Sequence, residues 1–490
     1  MELNSEDKQF FAAVVAIIFS NPFDDARADI RALVPGAPRS AAAISKHPFG
    51  AIVPALEERL NKLAAAGVVT GKDVSAGDRE LFGYVLLFRV YHHYADQFDA
   101  LIAEQVARGD EPAAATFADA LLAELRACGF NSDDACRYLA LFYQLRRAYY
   151  FIADSLLGDS PAMGRLRHAL WNNVFTSDTR IYEKHLWNRM EDFSTLMLGE
   201  TGTGKTSAAA AIGRSGLIPY DQKRGCFAAS FTSTFVAANL SQYPESIIES
   251  ELFGHRKGAF TGAIDHHQGL FERLSNYGAL FLDEIGEVSV PIQIKLLAVI
   301  QERRFSPVGS HEQLRFDGRV IAATNRSMAE LRESSAFRDD FLYRLCSDVI
   351  EVPPLRRRLQ EHPPELETLV ALLVTRTTGS DAPGLTDMVV SSLRDTLSDD
   401  YPWPGNVREL EQAVRRILLN GRYEGVTATG ADDENELLAA SLRDGSVTAT
   451  ELLSRYCRIL YARWGSYEQV ARHIELDRRT VKKYIDRAPG

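Results

Sequence analysis

Apolar residues recur along the first third of the chain at helical spacing. Tyr84, Leu87, Phe88 and Tyr91, then Phe98, Leu101 and Ile102, fall at steps of three and four. That spacing predicts one buried helix face. A second face runs through Tyr138, Leu139, Phe142, Leu145, Tyr149 and Ile152, and begins after Asn131 and Ser132, a good N-cap pair. The apolar run 10–19, closed by Asn21 and Pro22, is too short to span a bilayer and reads as a buried helix. Residues 1–152 are therefore expected to be helical. Their aromatic stripes read first as ordinary core, with a ligand pocket as the alternative. His92 and His93 bring no further metal ligands with them and read as surface residues. No acidic constellation of a phosphorylation receiver is visible here.

From about residue 152 to 423 the texture changes. Short β-type runs at 196–198, 235–238, 280–282 and 320–323 alternate with helical stretches. This alternation predicts a parallel sheet flanked by helices. Residues 421–447 carry several glycines and the acidic run Asp432, Asp433 and Glu434, and read as a linker. A small helical tail follows.

Composition narrows the picture. A chain of 490 residues with 46% hydrophobic and 25% charged residues can bury several cores. Its net charge of −11 excludes a surface that is basic all over, so any DNA contact must be local. The five cysteines, Cys128, Cys136, Cys226, Cys346 and Cys457, show no metal-ligand spacing and suggest reduced thiols in a cytoplasmic protein. The start of the chain lacks a positively charged secretory signal, and no membrane role is expected.

The chemistry begins at residues 199–206. Gly199, Glu200, Thr201, Gly202, Thr203, Gly204, Lys205 and Thr206 fit the phosphate-loop pattern G-x-x-x-x-G-K-[ST]. The glycines let backbone N–H groups close around phosphates, Lys205 reaches the β/γ oxygens, and the Thr206 hydroxyl can ligate Mg²⁺. The loop follows an apolar run and precedes an alanine-rich helix, as the mechanism requires. A second apolar run, 279–282, ends in Asp283 and Glu284. Asp283 is placed to hold Mg²⁺ and Glu284 to polarise the attacking water of an ATP-hydrolysing site. Two carboxylates ending a buried strand are costly unless a cation or substrate uses them.

The stretch 249–263 resembles the signature of the sigma-54-dependent activators, also called bacterial enhancer-binding proteins. Its core, Gly258, Ala259, Phe260, Thr261, Gly262 and Ala263, is intact. The resemblance covers roughly 156–423 and the tail. It implies a multidomain chain: a helical regulatory domain at 1–152 and a P-loop AAA+ α/β core at 153–350. A helical lid at 351–425, a linker at 426–446 and a helix-turn-helix tail at 447–490 complete it. In that family the 258–263 insertion is a loop that moves with nucleotide state and touches the sigma factor. Asn239 matches the switch asparagine that orients the catalytic Glu284. Asn325 matches the first sensor of the γ-phosphate, Arg338 and Arg344 match the arginine fingers that reach a neighbouring subunit, and Arg408 matches the second sensor. There are departures. The stretches 160–200 and 205–239 are longer than usual, which suggests that 192–195 and 225–230 belong to loops near the adenine or a subunit boundary. Thr206 stands where many members carry glutamate, and Leu240 where a cysteine commonly follows the switch asparagine.

The tail reads as helices at 451–464, 467–473 and 478–487, similar to a Fis-type helix-turn-helix. Val470, Ile474, Leu476, Val481 and Ile485 can form its core around the small Ala471. Arg478, Arg479, Thr480, Lys482, Lys483 and Tyr484 would then face outward on the last helix, where they could read base edges or hold phosphates. The resemblance implies a cytoplasmic activator that binds upstream enhancer DNA, assembles from dimers into a hexameric ring, and uses ATP with Mg²⁺ to remodel the sigma-54 RNA polymerase. An unidentified ligand or protein would signal through residues 1–152. A DNA-binding repressor with a merely regulatory ATPase core is the alternative, and a AAA+ remodeller of another substrate is the third reading.

Overall fold

The computed structural model describes residues 1–24, 52–334, 336–398, 400–425, 438, 441–442 and 447–485. The linker expected at 426–446 therefore lies almost entirely outside the described residues, as do residues 486 and 487 of the last expected helix. The chain forms two compact units, residues 1–386 with 405–412, and residues 387–404 with 413–490.

The first unit opens with helices α1 (Ser5–Phe19), α2 (Val53–Ala65), α3 (Arg79–His93), α4 (Ala95–Arg108), α5 (Ala118–Ala127) and α6 (Ser132–Tyr149). The expected start signal of α6 works through one specific bond. The Asn131 side chain accepts the Asp134 amide at 2.8 Å, and α6 continues through a π-helical turn, Tyr150–Asp154, that keeps Ile152 buried. The stripe from Tyr84 to Ile102, expected as one helix face, is shared between two helices. The chain leaves helical geometry at Tyr94, and the break lets α3 pack on α1 while α4 packs on α6. His93 is exposed and pairs with Glu124, as a surface residue should. His92 is half-buried instead, its ring 4.1 Å from that of Phe88 and its Nδ1 on the Phe88 carbonyl.

A five-stranded parallel sheet follows: β1 (Thr195–Leu198), β2 (Phe235–Asn239), β3 (Ala279–Asp283), β4 (Arg319–Thr324) and β5 (Asp348–Glu351), in the order β2-β3-β4-β1-β5. Strands of a parallel sheet are covered on both faces and read as continuous apolar runs. Alternate residues here go to two cores. Met197, Phe281, Ile321 and Ile350 join the core that also contains α1–α6, whereas Leu196, Leu280, Leu282 and Val320 join a second core on the other face.

Most of the two long stretches packs against the N-terminal helices, although Met163 and Leu166 of the first also line the cavity at the carboxyl ends of the strands. Helix α7 (Pro161–Phe175), with Tyr182 after it, and the segment holding Phe227 and Phe231 pack into the core of the N-terminal helices. The Phe227 ring stacks on Tyr143 of α6 at 3.9 Å, and the Ala115 amide donates to the Gly225 carbonyl at 3.0 Å. Asp192 pairs with Arg303, and Thr195 is the first residue of β1. Residues 225–230 thus help to seat the N-terminal helices on the sheet. Neither they nor residues 192–195 line the cavity at the carboxyl ends of the strands. Apolar area decides this, since Trp171, Val174, Phe175, Phe227 and Phe231 are large side chains that gain most from joining the nearest extensive core.

The core and lid also contain α8 (Lys205–Gly213), α9 (Glu245–Phe253), α10 (Leu270–Arg273), α11 (Val290–Glu302), α12 (Asp339–Leu345), α13 (Leu355–Glu361), α14 (Glu365–Thr378), α15 (Pro383–Thr396) and α16 (Asn406–Asn420). The second unit ends in α17 (Ala449–Trp464), α18 (Tyr467–His473) and α19 (Arg478–Ile485), a three-helix body around Leu460, Val470 and Val481. Ala471, Ile474, Leu476 and Ile485 pack against that centre. All five cysteines are unpaired thiols. Among the described residues no helix is long and apolar enough to cross a membrane.

One buried ion pair fixes the entry to the sheet. Arg358 and Glu365 are both buried and hydrogen-bonded to each other. Arg358 also donates to the Leu157 carbonyl at 2.8 Å, and Glu365 accepts the Ser160 amide at 2.9 Å. The turn between them passes so close that a Cβ on Gly158 would lie 1.9 Å from the Glu365 carboxylate, and its φ of +114° is one that only glycine adopts freely. Gly158→Ala should therefore cost about 2–4 kcal/mol through strain and forced displacement of a buried charge. Thermal melting of the variant checks this, and an unchanged midpoint would contradict it.

Candidate functional site

The carboxyl ends of the parallel strands converge on one cavity of about 380 Å³, the place where open α/β sheets bind ligands. One end is apolar, lined by Leu156, Leu157, Met163 and Leu166; the other holds the 201–206 loop, Asp283 and Glu284. Strand β1 is buried along its whole length and hands the chain to the loop. Gly202 has φ +81°, and a Cβ there would meet the Gly405 carbonyl at 2.3 Å, so the loop must stay bare where the 405–408 backbone crosses it. The Val407 amide donates to the Gly202 carbonyl at 3.1 Å, and the Thr203 hydroxyl to the Glu200 carbonyl at 2.9 Å.

Gly204 (φ +103°) ends the loop, and α8 begins at Lys205. The first N–H groups of α8 have no intrahelical partners and give its start a partial positive charge. Lys205 is buried and donates to the Gly199 and Glu200 carbonyls at 2.7 and 3.2 Å. Burial pulls its ammonium below the ordinary lysine value, while Asp283 and Glu284 oppose that change. Thr206 is exposed and lines the same cavity.

Across the cavity, β3 ends at Asp283, which accepts the Glu284 amide at 3.1 Å. Glu284 stands in the left-handed region at φ +56°, a conformation that costs about 1–3 kcal/mol for a residue with a Cβ. Burial pushes its carboxyl above the usual glutamate range and Asp283 adds to the effect; Lys205 and the Asn325 backbone N–H work against it. Two carboxylates held together in this way suit a bound cation. With the Thr206 hydroxyl on the same cavity, they are hard oxygen donors. They fit a metal such as Mg²⁺, which takes one or two carboxylates and completes its shell with phosphate and water.

Asn239, the last residue of β2, sits in register opposite Asp283 and lines the cavity. Its side-chain oxygen accepts from the Ser241 amide at 3.0 Å and the Ser241 hydroxyl at 2.7 Å, so here it caps the following turn. Asn325 is exposed just past β4 and reaches Glu284 through its backbone. Arg408 lines the cavity, together with Arg376 and Glu411. Arg338 and Arg344 do not border the cavity of their own chain. Arg338 is bound to Asp340 at 3.0 and 2.7 Å, and Arg344 points to the Ile300 carbonyl at 3.5 Å.

Two supporting residues extend this set: Arg356, which no motif announces, and Asn406, which lies two residues before Arg408 in the stretch 403–410. Arg356 grips Glu200 with two bonds of 2.7 and 2.5 Å. The buried Asn406, at φ +52°, donates to Glu200 and to the Thr201 carbonyl, both at 3.1 Å, and accepts the Leu355 amide at 2.8 Å. Together they hold the phosphate loop through Glu200 and Thr201. Only their proximity to the loop in three dimensions reveals this.

The 258–263 loop projects from the same body between α9 and α10. Its base is closed by mutual bonds of His255 and His267, 3.0 Å each, and its neck by the Gly258 amide on the Ala263 carbonyl at 2.8 Å. Gly258 (φ +81°) and Gly262 (φ +106°) make the tight turns. Phe260, Thr261 and Gly262 are exposed, Ala259 is half-buried, and Ala263 is buried. Ile264, beside this group and missed in the sequence, is 75% exposed and extends the apolar tip. A second loop braces the first: the Arg256 amide donates to the Val308 carbonyl at 3.1 Å.

In the tail, Arg478, Arg479, Lys482 and Lys483 are exposed on α19. Thr480 and Tyr484, expected to face outward, are half-buried. Asp477 caps α19 through the amides of Arg479 and Thr480 and also holds the Thr480 hydroxyl, while the Tyr484 carbonyl accepts from Ser454 at 2.6 Å.

Comparison with known proteins agrees with this geometry. Residues 177–351 match the sigma-54 interaction domain family. The Nif-specific regulatory protein of Azotobacter vinelandii is 37% identical over 321 residues, 64% of this chain and 55% of that protein. The nitrogen fixation protein VnfA of the same organism is 42% identical over 226 residues, 46% of this chain and 40% of that one. The anaerobic nitric oxide reductase transcription regulator NorR of Aeromonas salmonicida is 35% identical over 343 residues, 66% and 61% of the two chains. The match thus spans about half the length of these relatives. The chain carries a sigma-54 interaction domain of AAA+ type, homologous to those of the NtrC-family enhancer-binding activators.

Proposed function

We propose that this chain uses its sigma-54 interaction domain to activate transcription, converting ATP hydrolysis into movement of the 258–263 loop against the sigma-54 RNA polymerase. The observation that carries the reading is that one α/β body holds both a phosphate-loop cavity and a braced, glycine-hinged loop with an exposed apolar tip. The reading places the chain in the cytoplasm, as a DNA-bound dimer that assembles into a hexameric ring.

The chain's own groups divide the work. Lys205, Gly199 to Gly204 and the start of α8 hold the β/γ-phosphates, with Arg408 beside them. Thr206 and Asp283 would hold Mg²⁺, which when bound neutralises charge on the phosphates. Glu284 orients and polarises the attacking water. Its raised carboxyl keeps it a better proton acceptor than an exposed glutamate, and the Asn325 N–H steadies it. Asn239 acts as the switch if it exchanges Ser241 for Glu284 when nucleotide changes. Arg338 and Arg344 leave Asp340 and the Ile300 carbonyl to act on a neighbour's nucleotide. The exposed Arg478, Arg479, Lys482 and Lys483 bind enhancer DNA, with Thr480 and Tyr484 shaping the helix that carries them.

Glu284→Gln should hold ATP yet hydrolyse it at least about 100-fold more slowly, because an amide cannot accept the water proton. Near-normal turnover would remove the catalytic assignment. Lys482→Ala with Lys483→Ala should weaken DNA binding and lower the slope of log affinity against log salt by about one for each phosphate no longer held. Footprinting across a salt series reads this, and an unchanged slope counts against the role. Phe260→Ala and Thr261→Ala should leave ATPase rate and ring assembly largely intact while abolishing promoter opening by the sigma-54 polymerase. An ATPase assay beside a promoter-opening assay on the same variants separates the outcomes. Full promoter opening would sink the activator reading in favour of the repressor.

A further inference from the structure

The segment that presents Arg338 is tied to the rest of the body by one buried side chain. Gln293, near the start of α11, is fully buried. Its amide nitrogen donates to the Val288 carbonyl at 2.9 Å and to the Ala336 carbonyl at 2.7 Å. Its oxygen accepts the Arg338 N–H at 2.9 Å. Both amide donors and the oxygen are thus engaged, and every partner is a backbone group. One partner lies just before α11, and the other two flank Phe337. A methionine of the same length would bury more apolar area without desolvating an amide, so packing alone does not account for a glutamine here. A buried amide with all its bonds made specifies the relative position of the segments it joins.

Those two segments matter to the chemistry. On one side, α11 follows Glu284 through the turn Ile285–Glu287, and Ile285, Val288 and Ile292 are buried in the same core as Leu282 of β3. On the other side, Phe337 and Phe341 are buried in that core to either side of Arg338, which stays exposed. The two rings set the depth of the segment. The bonds to Gln293 fix where along α11 it sits. Gln293 itself does not border the nucleotide cavity.

We propose that Gln293 is a positioning residue for Arg338, holding the arginine offered to a neighbour's nucleotide against the helix that follows the subunit's own Glu284. The inference rests on the reading of Arg338 as an arginine finger. Loss of Gln293 should then slow hydrolysis at the neighbouring site and leave nucleotide binding in its own subunit unchanged. A misplacement of about 1 Å at a group of this kind costs on the order of 100-fold in rate.

Subunit mixing with the full chain tests this. Gln293→Met keeps the length of the side chain and removes all three bonds. Gln293→Ala leaves room for water to satisfy the freed backbone groups. Each variant should assemble and bind a non-hydrolysable ATP analogue like the native chain, yet hydrolyse ATP about 10- to 100-fold more slowly. In mixed rings with Glu284→Gln subunits, whose Arg338 is well placed, hydrolysis should return, because the Gln293 variant supplies an intact Glu284. In mixed rings with Arg338→Ala subunits it should not return, because neither kind of subunit presents a well-placed arginine. Any other pattern overturns the inference; recovery with Arg338→Ala in particular assigns the defect to the variant's own site. Native hydrolysis by both Gln293 variants overturns it too, as does loss of assembly or of nucleotide binding in both, since Gln293 then serves only the fold. Native hydrolysis by Arg338→Ala alone removes the finger reading, and the inference with it.

Discussion

The fold depends on how the phosphate-loop helix α8 is held at its far end. The last carbonyls of α8 are taken by the turn that follows it, Ala210 by the Arg214 amide, Ala211 by the Ser215 hydroxyl and Ile212 by the Ser215 amide. Here the carbonyls just beyond α8 are taken by Arg147 and Gln144 of the N-terminal region. Arg147 is completely buried, and burial brings its guanidinium down to about 10, still protonated at neutral pH. Removing water from that charge is costly, and the carbonyls with the faces of Tyr143 and Phe231 offset the cost. The N-terminal helices are therefore part of the body that positions Lys205.

The same interaction explains why two long stretches interrupt the expected spacing around the phosphate loop. Residues 160–194 and 214–234 supply aromatic area that fills the space between α6 and the sheet, with Tyr182 bonded to Gln144 at 2.8 Å. The Gln144 amide is thereby fixed in the orientation that donates to Ser215. One core runs from Phe11 through Phe227 to Ile350. A regulatory segment joined in this way transmits strain well, because close-packed interiors deform little.

The nucleotide site is built on a second constraint, the collection of charge at the carboxyl ends of β1, β3 and β4. Lys205 and Glu284 are each displaced from their ordinary ionisation by burial, and each partly restores the other. The strained backbone at Glu284 and the glycine-only approach at Gly202 show where the chain gives up local ease for position. Arg356 and Asn406 then anchor Glu200 from outside.

Features that act within a few residues are legible in the chain itself. The Asn131 cap, the apolar strands before Gly199 and Asp283, and the glycines at 258 and 262 each act within a few residues, so their spacing suffices. The phosphate loop and the helical tail were legible for the same reason. Features that depend on distant partners emerge once the chain is folded. Tyr94 breaks a stripe that periodicity reads as continuous, because α3 and α4 face different neighbours. Ile264 joins the loop tip through exposure, which no pattern records. The aromatic stripes of the N-terminal helices share one core with Trp171, Phe227 and Phe231 from later in the chain, and no single helix carries that information.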